Sequence, residues 1–195
     1  KQSLAQLVDP PLDHENDVIV FIGDSHMRKQ YKLFLEHFGD RLTSVYLKTN
    51  DGLLVRFPEI RLGLEKITAQ LNNAKHRGKA YILFNAGLHE IDILCSQKRV
   101  RSRGRVISTP DDNFSCTQQY RSNLMELTKL VLDVPGALRV FQSTSAGWIK
   151  WGNYGFVWEP NRTQAFPSDP HASLDLNEIA YQVMREHDIP VMDSF

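Results

Sequence analysis

The sequence predicts an α/β domain: a three-layer, doubly wound fold on a mainly parallel sheet. Three observations carry that expectation. Short continuous apolar runs such as Val18-Ile-Val-Phe-Ile22 lack the alternation of a half-exposed strand, which marks strands covered on both faces. Between these runs lie stretches with apolar positions at helical spacing, and strand–helix–strand order implies parallel pairing through right-handed crossovers. Polar residues gather just after the strands, the edge at which open α/β sheets bind ligands.

Each element follows in order. Val18 to Ile22 is the first strand. Met27, Tyr31, Phe34, Leu35 and Phe38 keep helical spacing after Ser25, and Gly39 closes that helix as a C-terminal cap would. Thr43 to Leu47 and Leu53 to Phe57 read as short strands around the turn Asn50-Asp-Gly52. Ile60, Leu64, Ile67, Leu71 and Ala74 mark a helix ended by Gly78, and Tyr81 to Phe84 is the next buried strand. A polar loop from about Gly87 to Ser115 leads to a helix carrying Tyr120, Leu124, Leu127 and Val131, then to the strand Leu138 to Gln142. A second long loop, Ser145 to Ala172, precedes a helix with Leu176, Ile179, Val183 and Met184, and Ile189 to Met192 is the last strand. The chain carries no internal repeat and no low-complexity segment.

Size and charge narrow the function classes. At 195 residues with 42% hydrophobic residues, the chain suits a single domain with a sizeable core. A formal net charge of zero gives no pull toward nucleic acid or an anionic membrane surface. No apolar run approaches the roughly 18 residues of a membrane span, and no signal-peptide pattern opens the chain. It starts at Lys1 and stops at Phe195 directly after a strand-like run, so it reads as an excerpt truncated at the C-terminal end of its domain. Cys95 and Cys116 are compatible with one loop-closing disulfide or with two thiols. With the sequons Asn113-Phe-Ser115 and Asn161-Arg-Thr163, they lean toward a secretory or extracellular compartment.

The chemistry-bearing residues sit at the carboxyl edge. Asp24 and Ser25 follow the first strand, Asn85 to His89 the middle one, Ser143 to Ser145 the next, and Asp193 the last. Ser25 is either the N-cap of its helix or a nucleophile. Gly23 would let the backbone turn sharply and leave the hydroxyl at a helix head, where free amides stabilise an oxyanion.

Gly23-Asp24-Ser25-His-Met-Arg28 after a buried strand resembles the Gly-Asp-Ser-x-x-Arg block of the PC-esterase branch of the GDSL/SGNH hydrolase superfamily. Phe84-Asn-Ala-Gly-Leu-His-Glu90 resembles the Asn-x-Gly-x-His block of that branch. The resemblance implies an SGNH, flavodoxin-like domain that needs no cofactor, with Ser25 attacking an ester carbonyl and its own amide holding the oxyanion. Asn85 would be a second donor and Gly52 a third; Asp24 would fix the turn, and Arg28 would orient the acyl group. It further implies an O-acyl ester substrate, most often O-acetyl on a carbohydrate.

The chain also departs from that pattern. The family's base is the histidine of an Asp-x-x-His block, and no such block occurs in these 195 residues. Of the histidines present, His171 suits a helix start, His89 could contact substrate, and His26 adjoins Ser25 on a helix, where neighbours diverge. The loop Trp148-Ile-Lys-Trp151 to Trp158 could stack on sugar rings or simply anchor itself on the domain. Lys98 to Arg105 holds five cations in eight residues, a solvated loop or a grip on an anionic glycan. No ligand spacing supports a metal site, and no phosphate-binding glycine loop is present.

Two function classes remain: a serine-dependent O-acyl, above all O-acetyl, esterase or acetyltransferase acting on a carbohydrate or small ester, and a non-catalytic carbohydrate-binding or interaction module on the same fold.

Overall fold

The computed structural model describes residues 16–49, 57–73, 78–87, 101–102, 105–106, 116–144 and 170–193. Its main sheet has five parallel strands: β1 Val18–Gly23, β2 Thr43–Lys48, β3 Ala80–Phe84, β6 Leu138–Gln142 and β7 Val191–Met192. Their spatial order is β2-β1-β3-β6-β7. The α-helices among the described residues are α1 Ser25–Phe38, α2 Phe57–Leu71, α3 Cys116–Leu132 and α4 Pro170–Glu186.

The apolar runs become strands because both faces are covered. Val18, Val20 and Ile22 turn to one face, where they join Ile60 and Leu64 of α2, Tyr120 and Leu124 of α3, and Leu176 and Val183 of α4 in one buried core. Phe21 alternates to the other face and meets α1, its ring 5.4 Å from Tyr31 and 5.3 Å from Phe34. Helices therefore lie on both sides of the sheet, the three-layer α/β arrangement predicted from the sequence. Each such aliphatic or aromatic side chain, fully buried, contributes about 1.5–3 kcal/mol of transfer free energy.

Several boundaries move. Phe57 opens α2 rather than ending a strand: Pro58, in the first turn, has no amide to satisfy, and Glu59 suits the positive end of the helix dipole. The helix stops at Leu71, short of Gly78. The last strand is only Val191–Met192, because the Ile189 amide turns back to Met184 O at 2.9 Å and Pro190 has no amide to give. Inside the segment read as a polar loop, β4 Arg101–Ser102 and β5 Arg105–Val106 form a two-stranded antiparallel ribbon. Gly39 does close α1: it sits at φ +54°, where a side chain is disfavoured, and its amide donates to Leu35 O.

The order matters for function. Chain order runs outward from β1 to β2 on one side and from β3 to β7 on the other, so the winding reverses between β1 and β3. In doubly wound sheets the crevice at that reversal, outside the carboxyl ends of the strands, is where ligands bind.

Candidate active site at the β1/β3 switch point

Ser25 and Asn85 occupy the two sides of this reversal. Ile22 pairs with Phe84 in register, so β1 and β3 end level and both residues emerge at the same edge. The ladder continues one step further, with the Asn85 amide donating to Ile22 O at 2.9 Å.

The start of α1 settles whether Ser25 caps its helix. An α-helix leaves its first four amides without internal partners. Asp24 is the N-cap, and its Oδ1 accepts from the His26 amide at 2.7 Å and the Met27 amide at 3.4 Å. The Asp24 amide donates to Asn85 Oδ1 at 3.3 Å. Three of the four are thus satisfied. The fourth, the amide of Ser25, has no hydrogen-bond partner among the described residues, and neither does the Ser25 hydroxyl. Ser25 is half-buried, the first residue inside the helix and not its cap.

The same bonds orient Asn85. Because a backbone amide must donate to an oxygen, the Asp24 contact identifies the oxygen of the Asn85 side chain and leaves Nδ2 as a donor, unpartnered among the described residues. Asn85 is only 6% exposed, so this donor is held in a largely dry environment. The next carbonyl is clamped as well: Ala86 O accepts from Tyr120 Oη at 3.0 Å and Thr144 Oγ1 at 2.9 Å. Thr144 is itself fixed by Asn177, whose side-chain amide exchanges two bonds of 2.9 Å with the Thr144 backbone. Gly87, at φ +142°, passes so close to Thr144 Oγ1 that a Cβ would overlap it.

Gly23 is required, but for a different reason from the one its place in the sequence implies. Its φ is not positive. What it supplies is room: a Cβ there would run into Asn85 Oδ1 and lie 2.6 Å from Met27 Cβ. The glycine lets strand, helix and Asn85 close on one another.

Tyr46 is the member that sequence reasoning missed. It stands opposite Phe21 in β2, stacks on Tyr31 at 5.8 Å, and its Oη lies 2.9 Å from both Gly23 O and Asp24 O. Burial, then the Asp24 charge, push its phenol up to about 12, with the nearby Arg28 opposing. The signal was its register: a long side chain two residues before the strand end reaches the turn beyond its partner strand. Arg28 is exposed on α1, and among the described residues no carboxylate pairs with it.

At the far end of the same edge, Ser143 Oγ donates to Asp193 Oδ1 at 2.8 Å, and Tyr181 Oη does so at 3.3 Å. Gly52, His89, Trp148, Trp151, Cys95 and both sequons lie outside the described residues. Cys116 and His171 are placed in the first turns of α3 and α4 by their backbones alone. A cleft of about 470 Å³ beside Glu36, His37 and Arg41 lies at the opposite end of α1 from Ser25 and lends it no residue. Among the described residues there is no group of three His, Cys, Asp or Glu able to hold a metal ion, and no helix long and apolar enough to cross a membrane. Compared with known proteins, the chain matches no family model and no curated protein.

Proposed function

We propose that this chain forms the serine-bearing part of an O-acyl esterase or acetyltransferase, acting on an O-acetylated carbohydrate through an acyl-enzyme. One observation carries the reading: among the described residues the Ser25 amide at the head of α1 has no partner, and the Asn85 side chain next to that turn has its oxygen engaged and its nitrogen not.

Those two donors suit an oxyanion. Ser25 Oγ attacks the ester carbonyl carbon and gives its proton to a base, while the carbonyl oxygen becomes negative between the Ser25 amide and Asn85 Nδ2. The bond to the sugar oxygen then breaks, that oxygen takes the proton, and the acyl group remains on Ser25. Water or a second sugar hydroxyl attacks the acyl-enzyme and releases the acid or the transferred ester. Removing one such donor in acyl-transfer sites costs roughly a hundred- to a thousandfold in kcat. Among the described residues no side chain is hydrogen-bonded to the Ser25 hydroxyl to mark the base that takes this proton. The resemblance to the PC-esterase branch assigns that role to a histidine and supplies the acetyl-glycan substrate class, while Cys95, Cys116 and the two sequons are what favour a secretory or extracellular setting.

The test uses the intact protein with a fluorophosphonate probe and p-nitrophenyl acetate. Stoichiometric labelling and turnover, both abolished by Ser25→Ala, are expected. Absence of labelling in the wild-type protein, or equal turnover in Ser25→Ala, refutes the acyl chemistry and leaves the carbohydrate-binding module as the reading to pursue with immobilised glycans.

A further inference from the structure

We propose that Tyr46 is a positioning residue that aims both oxyanion donors through a single hydroxyl. The inference rests on the acyl-transfer reading of Ser25 and Asn85, and extends it to a side chain two strands away from Asn85.

A trans peptide is planar, with its C=O and the following N–H pointing in opposite directions. Fixing a carbonyl therefore fixes the amide one residue later. The Tyr46 hydroxyl lies 2.9 Å from Gly23 O and 2.9 Å from Asp24 O, so its one proton is shared between two consecutive peptide planes. The first plane carries the Asp24 amide, which donates to Asn85 Oδ1 and thereby sets the direction of Nδ2. The second carries the Ser25 amide, which has no other partner among the described residues. Each plane has one further anchor on its carbonyl: Gly23 O also accepts from the Thr49 amide at 3.0 Å, and Asp24 O from the Arg28 amide at 3.0 Å. Among the described residues, Tyr46 is the one side chain bonded to both.

The rest of the residue is built to hold that position. Its ring is stacked on Tyr31, which in turn packs against Phe21 of β1. Burial and the Asp24 carboxylate keep the phenol protonated well above neutral pH, so the hydroxyl remains a donor wherever an ester would be turned over.

Three variants of the intact protein separate this from a general stabilising role. Tyr46→Phe keeps the stacked ring and removes only the hydroxyl. Tyr31→Phe removes a hydroxyl from the same stack, one that lies 3.4 Å from Ser44 O and does not touch the turn. Ser25→Ala reports on the underlying chemistry. With p-nitrophenyl acetate, Tyr46→Phe is expected to lower kcat about ten- to hundredfold with KM within twofold of wild type, the scale of a misaligned site, while Tyr31→Phe stays within twofold throughout. Amide hydrogen exchange is the second readout, and it does not depend on activity: Asp24, whose amide is bonded to Asn85 Oδ1, exchanges faster in Tyr46→Phe while the amides of β3 do not change.

If Ser25→Ala abolishes turnover but Tyr46→Phe leaves kcat and the Asp24 amide unchanged, the positioning role is wrong and the acyl chemistry stands. If Ser25→Ala turns over normally, the acyl chemistry itself is lost, and the positioning of oxyanion donors with it. Equal losses in Tyr31→Phe and Tyr46→Phe reduce Tyr46 to a packing residue and overturn the proposal.

Discussion

Gly23→Ala tests the close approach of β1, α1 and Asn85. The added methyl would collide with Asn85 Oδ1 and sit 2.6 Å from Met27 Cβ, where carbon atoms in contact stand about 3.5–4.0 Å apart. Neither neighbour yields easily. Met27 is fully buried and attached at Cβ to the first turn of α1, so relief there moves the helix. Asn85 is buried and bonded through its backbone to Ile22, so relief there gives up the bond from the Asp24 amide. Overpacking of this kind costs about 1–3 kcal/mol, and a lost buried hydrogen bond adds about 1 kcal/mol. The sum, about 2–4 kcal/mol, is a large share of a typical domain stability of 5–15 kcal/mol.

Urea unfolding followed by circular dichroism measures the loss. With a slope of about 2 kcal/mol/M, the midpoint falls by about 1–2 M. A double-mutant cycle then locates the clash: in an Asn85→Ala background the same methyl meets only Met27, and Gly23→Ala costs at least about 1 kcal/mol less than in the wild type. A midpoint shift below about 0.3 M for Gly23→Ala, or full additivity with Asn85→Ala, refutes the argument that this glycine is there for room.

Three further outcomes follow from the same geometry. Asp24→Ala removes the helix cap and lowers stability by about 1 kcal/mol, whereas Ser25→Ala changes the thermal midpoint by no more than about 1 °C; a reversed ranking would make the serine the cap. Asn177→Ala leaves the amide and carbonyl of Thr144 unpaired at a position where Asn177 is 2% exposed, and costs about 2–4 kcal/mol by the same urea assay. Tyr46 has its folded-state pKa raised from 10.0 to about 12, so the stability tied to its protonated form is complete below pH 10 and lost as pH rises toward 12. Wild type therefore loses stability across that window faster than Tyr46→Phe, and identical alkaline limbs in equilibrium unfolding would contradict the burial of the phenol at the turn.

The fold was legible because its central strands, β1 and β3, are covered on both faces. Val18 to Ile22 could be read as a covered parallel strand without reference to anything distant in sequence, since continuous apolarity is itself the mark of two-sided cover. Leu138 to Gln142 was found with its observed ends although it carries Arg139, because that guanidinium turns back on the end of α3, with four contacts to the carbonyls of Val131, Leu132, Val134 and Ala137. Short-range chemistry decided the misreadings. Pro58 converts an apolar run into a helix start, and Pro190 shortens the last strand, two effects that periodicity does not register.

The site was legible only in part, and the reason is physical. That Ser25 and Asn85 share an edge follows from chain order alone, since each stands directly beyond the carboxyl end of a parallel strand. Whether Ser25 is occupied as a cap does not follow, because Asp24 and Ser25 are both good N-cap residues and the sequence places them side by side. The choice is made by tertiary structure. Once Asn85 takes the Asp24 amide and Tyr46 holds the carbonyls of Gly23 and Asp24, residue 24 is fixed outside the helix and its carboxylate is the group left over the exposed amides. The serine is pushed to the first helical position, where its hydroxyl and its amide have no structural partner among the described residues. An unengaged hydroxyl beside an unengaged amide is thus produced by contacts from two neighbouring strands, and a helix bearing the same Gly-Asp-Ser tripeptide without Tyr46 and Asn85 would have no reason to leave either group open.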